Sequence, residues 1–83
     1  MKNERRDMEE LDRITVNPNV CLGQPTIRGM RITVSVILKM LAAGKSIQEI
    51  LEAYPELEVK DVQQAIKYAS WVVSDQLHMV PAI

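Results

Sequence analysis

At 83 residues the chain forms one domain, and a core of this size buries only about 60–65% of the surface that the unfolded chain exposes. Stability is then marginal, so we expect self-association. Cys21 is the single cysteine, which excludes an intrachain disulfide. Residues 1–10 carry seven charged side chains and no apolar run, so we expect a charged flexible tail over residues 1–12, no membrane segment and a cytoplasmic location.

The net charge of −1 conceals a segregation of charge along the chain. Residues 1–12 carry −2, residues 13–45 carry +5 without any acidic side chain, and residues 46–83 carry −4. A basic block of this kind is able to meet phosphates or an acidic protein surface. It is equally able to pair with the acidic helices of its own fold, and both interpretations stay open.

The N-terminal part of the sequence predicts β structure. Residues 13–16 form a short β-prone run, which the turn residues 17–19 stop. Residues 23–34 combine glycine, proline and β-branched side chains and predict a tight loop that leads into a bent, two-armed β element. Between them, Cys21 is expected to be a small buried filler of the core.

The remainder of the chain predicts three helices with short joints. The first runs from about residue 34 to residue 43 and stops at Gly44. The second is capped by Ser46 with Glu49 three residues later and stops at Pro55. The third runs from about residue 58 to residue 78, with one apolar stripe at positions 59, 62, 66, 69 and 73. This order is the outline of a helix-turn-helix domain, although any small three-helix bundle needs similar turns and helix ends.

Two linked motifs resemble a known family. They are Cys21-x-Gly23-x-Pro25-x-Ile27-x-Gly29-x-Arg31-Ile32 and, further along, Ala43-Gly44-x-Ser46-x-x-Glu49-Ile50. Together they are similar to the bacterial domain-of-unknown-function family 433, and the similarity covers about residues 13–73. Met30 stands where that family commonly has Thr, Gln24 where it often has Lys, and Glu58 where Thr or Ser usually caps the third helix.

The resemblance implies a mainly α fold, in which a homeodomain-like three-helix helix-turn-helix domain over residues 13–80 follows a short N-terminal β element. It also implies an antitoxin-like regulator from a toxin–antitoxin system, which binds DNA as an oligomer and pairs with a PIN-like ribonuclease toxin. Fold carries over from a resemblance more safely than function.

In a helix-turn-helix protein the third helix would contact DNA. Its predicted outward face carries Lys60 and Lys67 for phosphates, with Gln63 and Gln64 for adenine edges. Asp61 is expected on the same face, where it would repel phosphates. The alternative is that this face is simply solvated.

A second set of residues is predicted to form an oligomer or partner interface. Arg28 and Arg31 are expected to pair with carboxylates of the same fold or of a neighbouring subunit, although DNA phosphates and the acidic site of a nuclease partner are alternatives. Arg31 in particular is expected to anchor the β element. The full predicted interface is Arg28, Met30, Arg31, Tyr68, Trp71, Val72 and Leu77.

Catalysis is not expected from this sequence. One His, one Cys, no metal-ligand spacing and no phosphate-binding glycine loop argue against an enzyme, a metal site or a cofactor. Two functions stay open: an antitoxin-like DNA-binding regulator, which forms a homodimer or higher oligomer, and a structural or adaptor module that self-associates through its β element and C-terminal helix without binding DNA.

Overall fold

A computed structural model of the chain describes residues 11–77 and, within them, the side chains through Ser74. The tail predicted over residues 1–12 therefore lies outside the described residues except for Leu11 and Asp12, and so do residues 78–80 of the predicted domain. The elements in chain order are β1 (Ile14–Thr15), β2 (Thr26–Ile27), α1 (Val34–Ala42), α2 (Ile47–Ala53) and α3 (Val59–Leu77). The predicted mainly α fold, with three helices after a short β element, is confirmed.

The β element is a small antiparallel pair. Ile14 lies opposite Ile27 and Thr15 opposite Thr26, and the hydroxyls of Thr15 and Thr26 are 3.0 Å apart. Thr26 also forms an isolated bridge with Thr33. Within residues 23–34 the two arms are therefore β2 and the segment that reaches Thr33, so the predicted two-armed element is present, and β2 pairs with both β1 and the second arm.

The turn that joins the two arms has an unusual backbone. Arg28 and Gly29 both have positive φ, at 48° and 73°, and the Met30 N–H donates to the Ile27 carbonyl over 2.8 Å. Two successive positive φ values are the signature of a tight hairpin turn, and they come at a cost for any residue with a Cβ. Arg28 is therefore held in a conformation that its neighbours must stabilise.

The loop before β2 contains a short left-handed turn. Cys21, Leu22 and Gly23 have φ values of 51°, 59° and 82°, and the turn leaves Leu22 almost fully exposed. The expectation that Cys21 is a buried filler is wrong, since its side chain is only half-buried. Leu22 is thus the side chain of this turn that points into solvent, while Cys21 is half-buried.

The helices begin and end where the local sequence predicts. The Thr33 hydroxyl accepts from the Val36 N–H at the start of α1, and Gly44 follows this helix with φ at 89°. Ser46 and Glu49 form the predicted capping box of α2, with hydrogen bonds of 3.1 and 2.8 Å. Each cap satisfies backbone groups that the helix itself leaves without a partner.

The core lies between the β element and the three helices. Its buried apolar side chains come from every part of the described chain except β1: Ile27, Ile32, Val34, Ile37, Ile50, Leu57, Val62 and Ala65. α3 packs against α1, α2 and β1. No helix among residues 11–77 is long and apolar enough to cross a membrane.

The apolar stripe predicted for α3 does not face the core as a whole. Val62 is buried and Ala69 half-buried, but Val59, Ile66 and Val73 are 46%, 42% and 55% exposed. The helix is rotated so that Asp61 and Ala65 face inward instead. The inward position of the charged Asp61 side chain accounts for this rotation, and an apolar pattern does not take charged side chains into account.

Candidate functional site

A buried carboxylate is the centre of the polar contacts in this fold. Asp61, in the first turn of α3, has no solvent-exposed surface. Its Oδ2 accepts from the Glu58 N–H over 2.8 Å, which helps to cap α3, and both oxygens accept from arginines of the β element. A buried carboxylate with this many donors is fully satisfied and remains charged.

Arg28 approaches this carboxylate side-on with two nitrogens. Its Nε donates to Oδ1 of Asp61 over 3.2 Å and its Nη2 to Oδ2 over 2.8 Å. The same Nη2 donates to the Glu56 carbonyl over 2.9 Å, and the Arg28 N–H donates to the Arg13 carbonyl over 2.7 Å. These contacts explain how Arg28 keeps its positive φ, because the bidentate pair fixes the side chain and the β contact fixes the backbone.

Arg13, which immediately precedes β1, contacts the same carboxylate. Its Nη1 donates to Oδ1 of Asp61 over 2.9 Å and to Oε1 of Glu58 over 2.7 Å. The single nitrogen thus bridges two acids, one buried and one exposed. We call the group of Arg13, Arg28, Glu58 and Asp61 the arginine–aspartate cluster.

The arginine–aspartate cluster controls the protonation of its own members. Burial would raise the pKa of Asp61, but hydrogen bonds from Arg28, from the Glu58 N–H and from Arg13 outweigh it, so the pKa lies below its usual value. The pKa of Arg13 is raised, chiefly by its hydrogen bond to Glu58, and that of Arg28 by its hydrogen bond to Asp61. All of these shifts favour the charged forms.

Two residues expected on the DNA-contacting face are engaged inside the domain. Gln64 accepts from the Arg13 N–H over 2.9 Å and donates to Asp12 over 2.9 Å, so its amide holds the start of β1 rather than facing outward. Asp61 is buried in the arginine–aspartate cluster, and its expected exposure is wrong. The physical reason is the same for both, because the segment before β1 and β1 itself pack on this side of α3.

The other three candidates for DNA contact are exposed. Lys60, Gln63 and Lys67 lie on the first half of α3, outside the core. Lys60 and Lys67 share one side of the helix, about 20° apart at 3.6 residues per turn, and Gln63 lies about 40–60° from them. The structure thus brings these three side chains together on one face.

The predicted interface residues divide between the interior and the surface. Arg28 is engaged within its own chain, and Met30 and Tyr68 pack partly buried against the core. Arg31 is exposed and makes no hydrogen bond or ion pair within residues 11–77, so it does not anchor the β element to its own fold. That anchoring role belongs to Arg28 and Arg13, because the hairpin turn aims Arg28 at Asp61.

The remaining interface candidates lie on the last turns of α3. Trp71 is 49% exposed, and Tyr68 contacts it with ring centroids 6.1 Å apart. Val72 is half-buried, and Leu77 ends the helix beyond the described side chains. An open pocket of about 320 Å³ lies beside Trp71 and is lined by Leu11, Lys67, Ser70, Trp71 and Ser74.

Comparison with known proteins places this architecture in a family. The family model for the protein of unknown function DUF433 matches residues 14–69, which run from β1 well into α3. The chain belongs to the DUF433 family. The resemblance seen in the sequence is confirmed as far as the family is concerned.

Two similar proteins support this assignment. The uncharacterized protein y4eO of Sinorhizobium fredii (strain NBRC 101917 / NGR234) is 36% identical over 56 residues, which is 68% of this chain and 25% of that protein. The chain thus spans about a quarter of this curated relative. The crystal structure of a DUF433 member from Anabaena variabilis ATCC 29413, at 2.00 Å resolution, has a TM-score of 0.72 and 27% identity, and covers 89% of this chain and 73% of that one.

The DUF433 match includes most of the arginine–aspartate cluster. Arg28, Glu58 and Asp61 fall within residues 14–69, and Arg13 immediately precedes them. Sequence reasoning missed the central position of Asp61. The signal that could have indicated this position was the block of residues 13–45, which has basic but no acidic side chains. The interpretation that its arginines pair with acidic helices of the same fold is confirmed for Arg13 and Arg28.

Proposed function

We propose that this DUF433 protein is a small antitoxin-like regulator, which acts in the cytoplasm, binds DNA as an oligomer and pairs with a PIN-like ribonuclease toxin. One observation carries the DNA-binding part. The exposed face on the first half of α3 presents Lys60, Gln63 and Lys67, while the acid of that half, Asp61, is buried and paired with arginines.

The electrostatics of this face favour a polyanion. An exposed Asp61 would repel phosphates, but its charge is offset by Arg13 and Arg28 inside the domain. Glu58, just before the helix, is also paired with Arg13. Lys60 and Lys67 contribute positive charge to this face, and Gln63 beside them has the amide that recognises an adenine edge.

The helix order supports the same proposal. α1, a Gly-containing turn, the short α2, a second joint and the longer α3 follow the helix-turn-helix order, in which the last helix enters the major groove with its N-terminal residues. Lys60 and Gln63 lie in the first two turns of α3. Two lysines give little affinity alone, so an oligomer that doubles the contacts is part of the proposal.

The test is retention of a fragment of the protein's own promoter, measured at several salt concentrations. If both lysines of each protomer contact phosphate in a dimer, Lys60→Ala removes two contacts and lowers the slope of log affinity against log salt by about 1.8. Lys39→Ala is the matched control, because Lys39 is an exposed lysine of α1, and it should leave the slope unchanged. Absence of retention at low salt, or equal slopes for all three proteins, would refute DNA binding by α3.

The toxin part of the proposal rests on the family resemblance. Its test is co-expression with the product of the adjacent reading frame, followed by a ribonuclease assay with and without this protein. We expect co-purification and loss of the nuclease activity on binding. A neighbour that is active and unaffected by a molar excess of this protein would refute it.

A structural or adaptor module is the second candidate, and the exposed apolar side chains of α3 favour it. Such a module would co-purify with its partner and self-associate but give no DNA shift at any salt concentration. The promoter experiment above therefore separates the two functions.

A further inference from the structure

An uncharged strip runs along the second half of α3 without any partner among the described residues. Ile66, Ser70 and Val73 are spaced by four and three residues, so they share one side of the helix. All three are exposed, the two apolar ones by 42% and 55%. We call these three residues the α3 strip.

The α3 strip faces outward because Asp61 faces inward. At 3.6 residues per turn, Ile66 and Val73 lie about 140° and 120° around the helix from Asp61. The arginines that pull Asp61 into the domain thus fix the rotation that leaves two β-branched side chains in water. Apolar side chains that share one exposed helix face offer a surface that a partner helix can cover.

We propose that a second copy of this chain packs antiparallel on the α3 strip. In an antiparallel pair, Ile66 of each copy faces Val73 of the other, so a two-fold axis near residue 70 makes the same apolar contact twice. Ser70 lies next to the axis, where its small side chain lets the two helices approach closely. The strip is therefore complementary to itself.

The lack of charge on the α3 strip favours a second copy over a charged partner, because the strip has no charged group with which to select an acidic or basic partner. The antiparallel arrangement is favoured over the parallel one by the helix dipoles, because it places the N-terminal end of one helix beside the C-terminal end of the other. In the antiparallel arrangement the N-terminal halves, with Lys60 and Gln63, point to opposite ends of the dimer.

This arrangement extends the proposed function. It rests on that function only because the proposed function includes an oligomer. The second half of α3 would form the dimer and the first half would remain open to DNA. Both halves are accommodated on one helix of 19 residues, which is about 28 Å long.

The first test measures mass by light scattering at micromolar concentration. The wild type should be a dimer, and Val73→Glu should be a folded monomer, because two carboxylates would be buried in the contact. Trp71→Glu is the matched control. Trp71 is similarly exposed on the same helix but lies about 160° around it from Val73, so this variant should remain dimeric.

The outcomes of this test are distinct. A monomeric wild type overturns the proposal, and so does a dimer that Trp71→Glu dissociates and Val73→Glu does not, since the contact would then lie at the pocket beside Trp71. Ile66→Glu serves as a second disrupting variant if circular dichroism shows that Val73→Glu is unfolded. Ile66 belongs to the α3 strip, is 42% exposed and is not in the lining of the pocket beside Trp71.

A second test determines the orientation of the two copies. An equimolar mixture of Ile66→Lys and Val73→Glu proteins should regain the dimer mass, because the introduced lysine faces the introduced glutamate once across an antiparallel contact, while the other contact keeps its original Val73 and Ile66. If only a mixture of Val73→Lys and Val73→Glu regains it, the helices are parallel and the proposal is wrong. Neither measurement uses DNA, so failure of the dimer is distinguishable from failure of DNA binding.

Discussion

Asp61 joins three parts of the chain that local sequence preferences leave separate. It accepts from Arg13 before β1, from Arg28 in the hairpin turn and from the Glu58 N–H at the start of α3. The two arginines are held differently: Arg28 uses two nitrogens side-on, whereas Arg13 reaches the carboxylate with one. This difference decides how each will respond to substitution.

We predict that Arg28→Lys destabilises the fold more than Arg13→Lys. A lysine ammonium reproduces the single-nitrogen contact of Arg13, but not the bidentate pair and the additional bond of Arg28 to the Glu56 carbonyl. The free energy of unfolding should therefore fall further for Arg28→Lys than for Arg13→Lys, because Arg28→Lys loses more hydrogen bonds. Urea unfolding of both variants measures this, and equal losses would contradict the assigned geometry.

The buried carboxylate also predicts how stability depends on pH. The pKa of Asp61 is lower in the folded than in the unfolded chain, so its contribution is complete above the unfolded value of about 3.9 and is lost as the pH falls through the folded value. The free energy of unfolding should therefore decrease as the pH falls below about 4.

Asp61→Asn isolates this contribution. The variant should be less stable at pH 7, because two arginines lose their carboxylate, and its stability should change less below pH 4. A smaller acid dependence should remain, since the pKa of Glu49 is also lowered, chiefly by the Ser46 N–H. Parallel pH profiles of wild type and variant would show that Asp61 is not the group that titrates.

The sequence predicted part of the arginine–aspartate cluster. A basic block without acids indicates that its arginines need acidic partners, and Arg13 and Arg28 find them in the acidic C-terminal part of the chain. Which acid is buried was not predictable, because an aspartate among lysine and glutamine on a helix normally faces water. Only the meeting of the hairpin with α3 makes burial of Asp61 favourable.

Among the secondary-structure elements, α2 depends most on its cap. It has only seven residues, too few for a helix to persist in water by itself, and Ser46 and Glu49 satisfy backbone donors at its start. We predict that Ser46→Ala costs about 1 kcal/mol of unfolding free energy, measured in urea with an unchanged slope.

Glu49→Gln is the control for this prediction. Glutamine keeps the hydrogen bond to the Ser46 N–H and loses only the charge near the helix start, so the cost should be smaller than that of Ser46→Ala and should shrink at high salt. A loss for Glu49→Gln larger than that for Ser46→Ala would mean that charge, rather than capping, stabilises α2.

The elements differ in how far sequence alone predicts them. The capping residues Thr33, Ser46 and Gly44 act on backbone groups a few positions away, so the helix ends were predictable. The rotation of α3 was not predictable. The apolar pattern at positions 59, 62, 66, 69 and 73 indicates one helix face, but it does not show that Asp61 competes with that face for the interior. The left-handed turn of Cys21–Gly23 was likewise missed, since Cys and Leu rarely adopt positive φ.

At the scale of the whole molecule, the small core and the exposed apolar side chains both lead us to expect self-association. The core of the described chain has eight buried apolar side chains, and several β-branched ones on α3 remain in water. A small core leaves little excess stability, and burying the α3 strip against a second copy would add to it. Folding and association are then linked, because the dimer binds only the folded chain.

This linkage predicts that thermal stability depends on protein concentration. When the dimer is the main folded species, a tenfold increase in concentration stabilises it by about 1.4 kcal/mol, or about 0.7 kcal/mol per protomer. A domain of this size gains about 4–8 °C in Tm per kcal/mol, so we expect Tm to rise by about 3–6 °C per tenfold increase.

Calorimetry or circular dichroism across two decades of concentration measures this rise, with Val73→Glu as the comparison. The variant should have a lower Tm that does not change with concentration, whereas Trp71→Glu should keep the dependence of the wild type. A Tm that is constant for the wild type would mean that the chain unfolds as a monomer. The marginal core would then have to be stable by itself, with the arginine–aspartate cluster as the contact that joins its β element to α3.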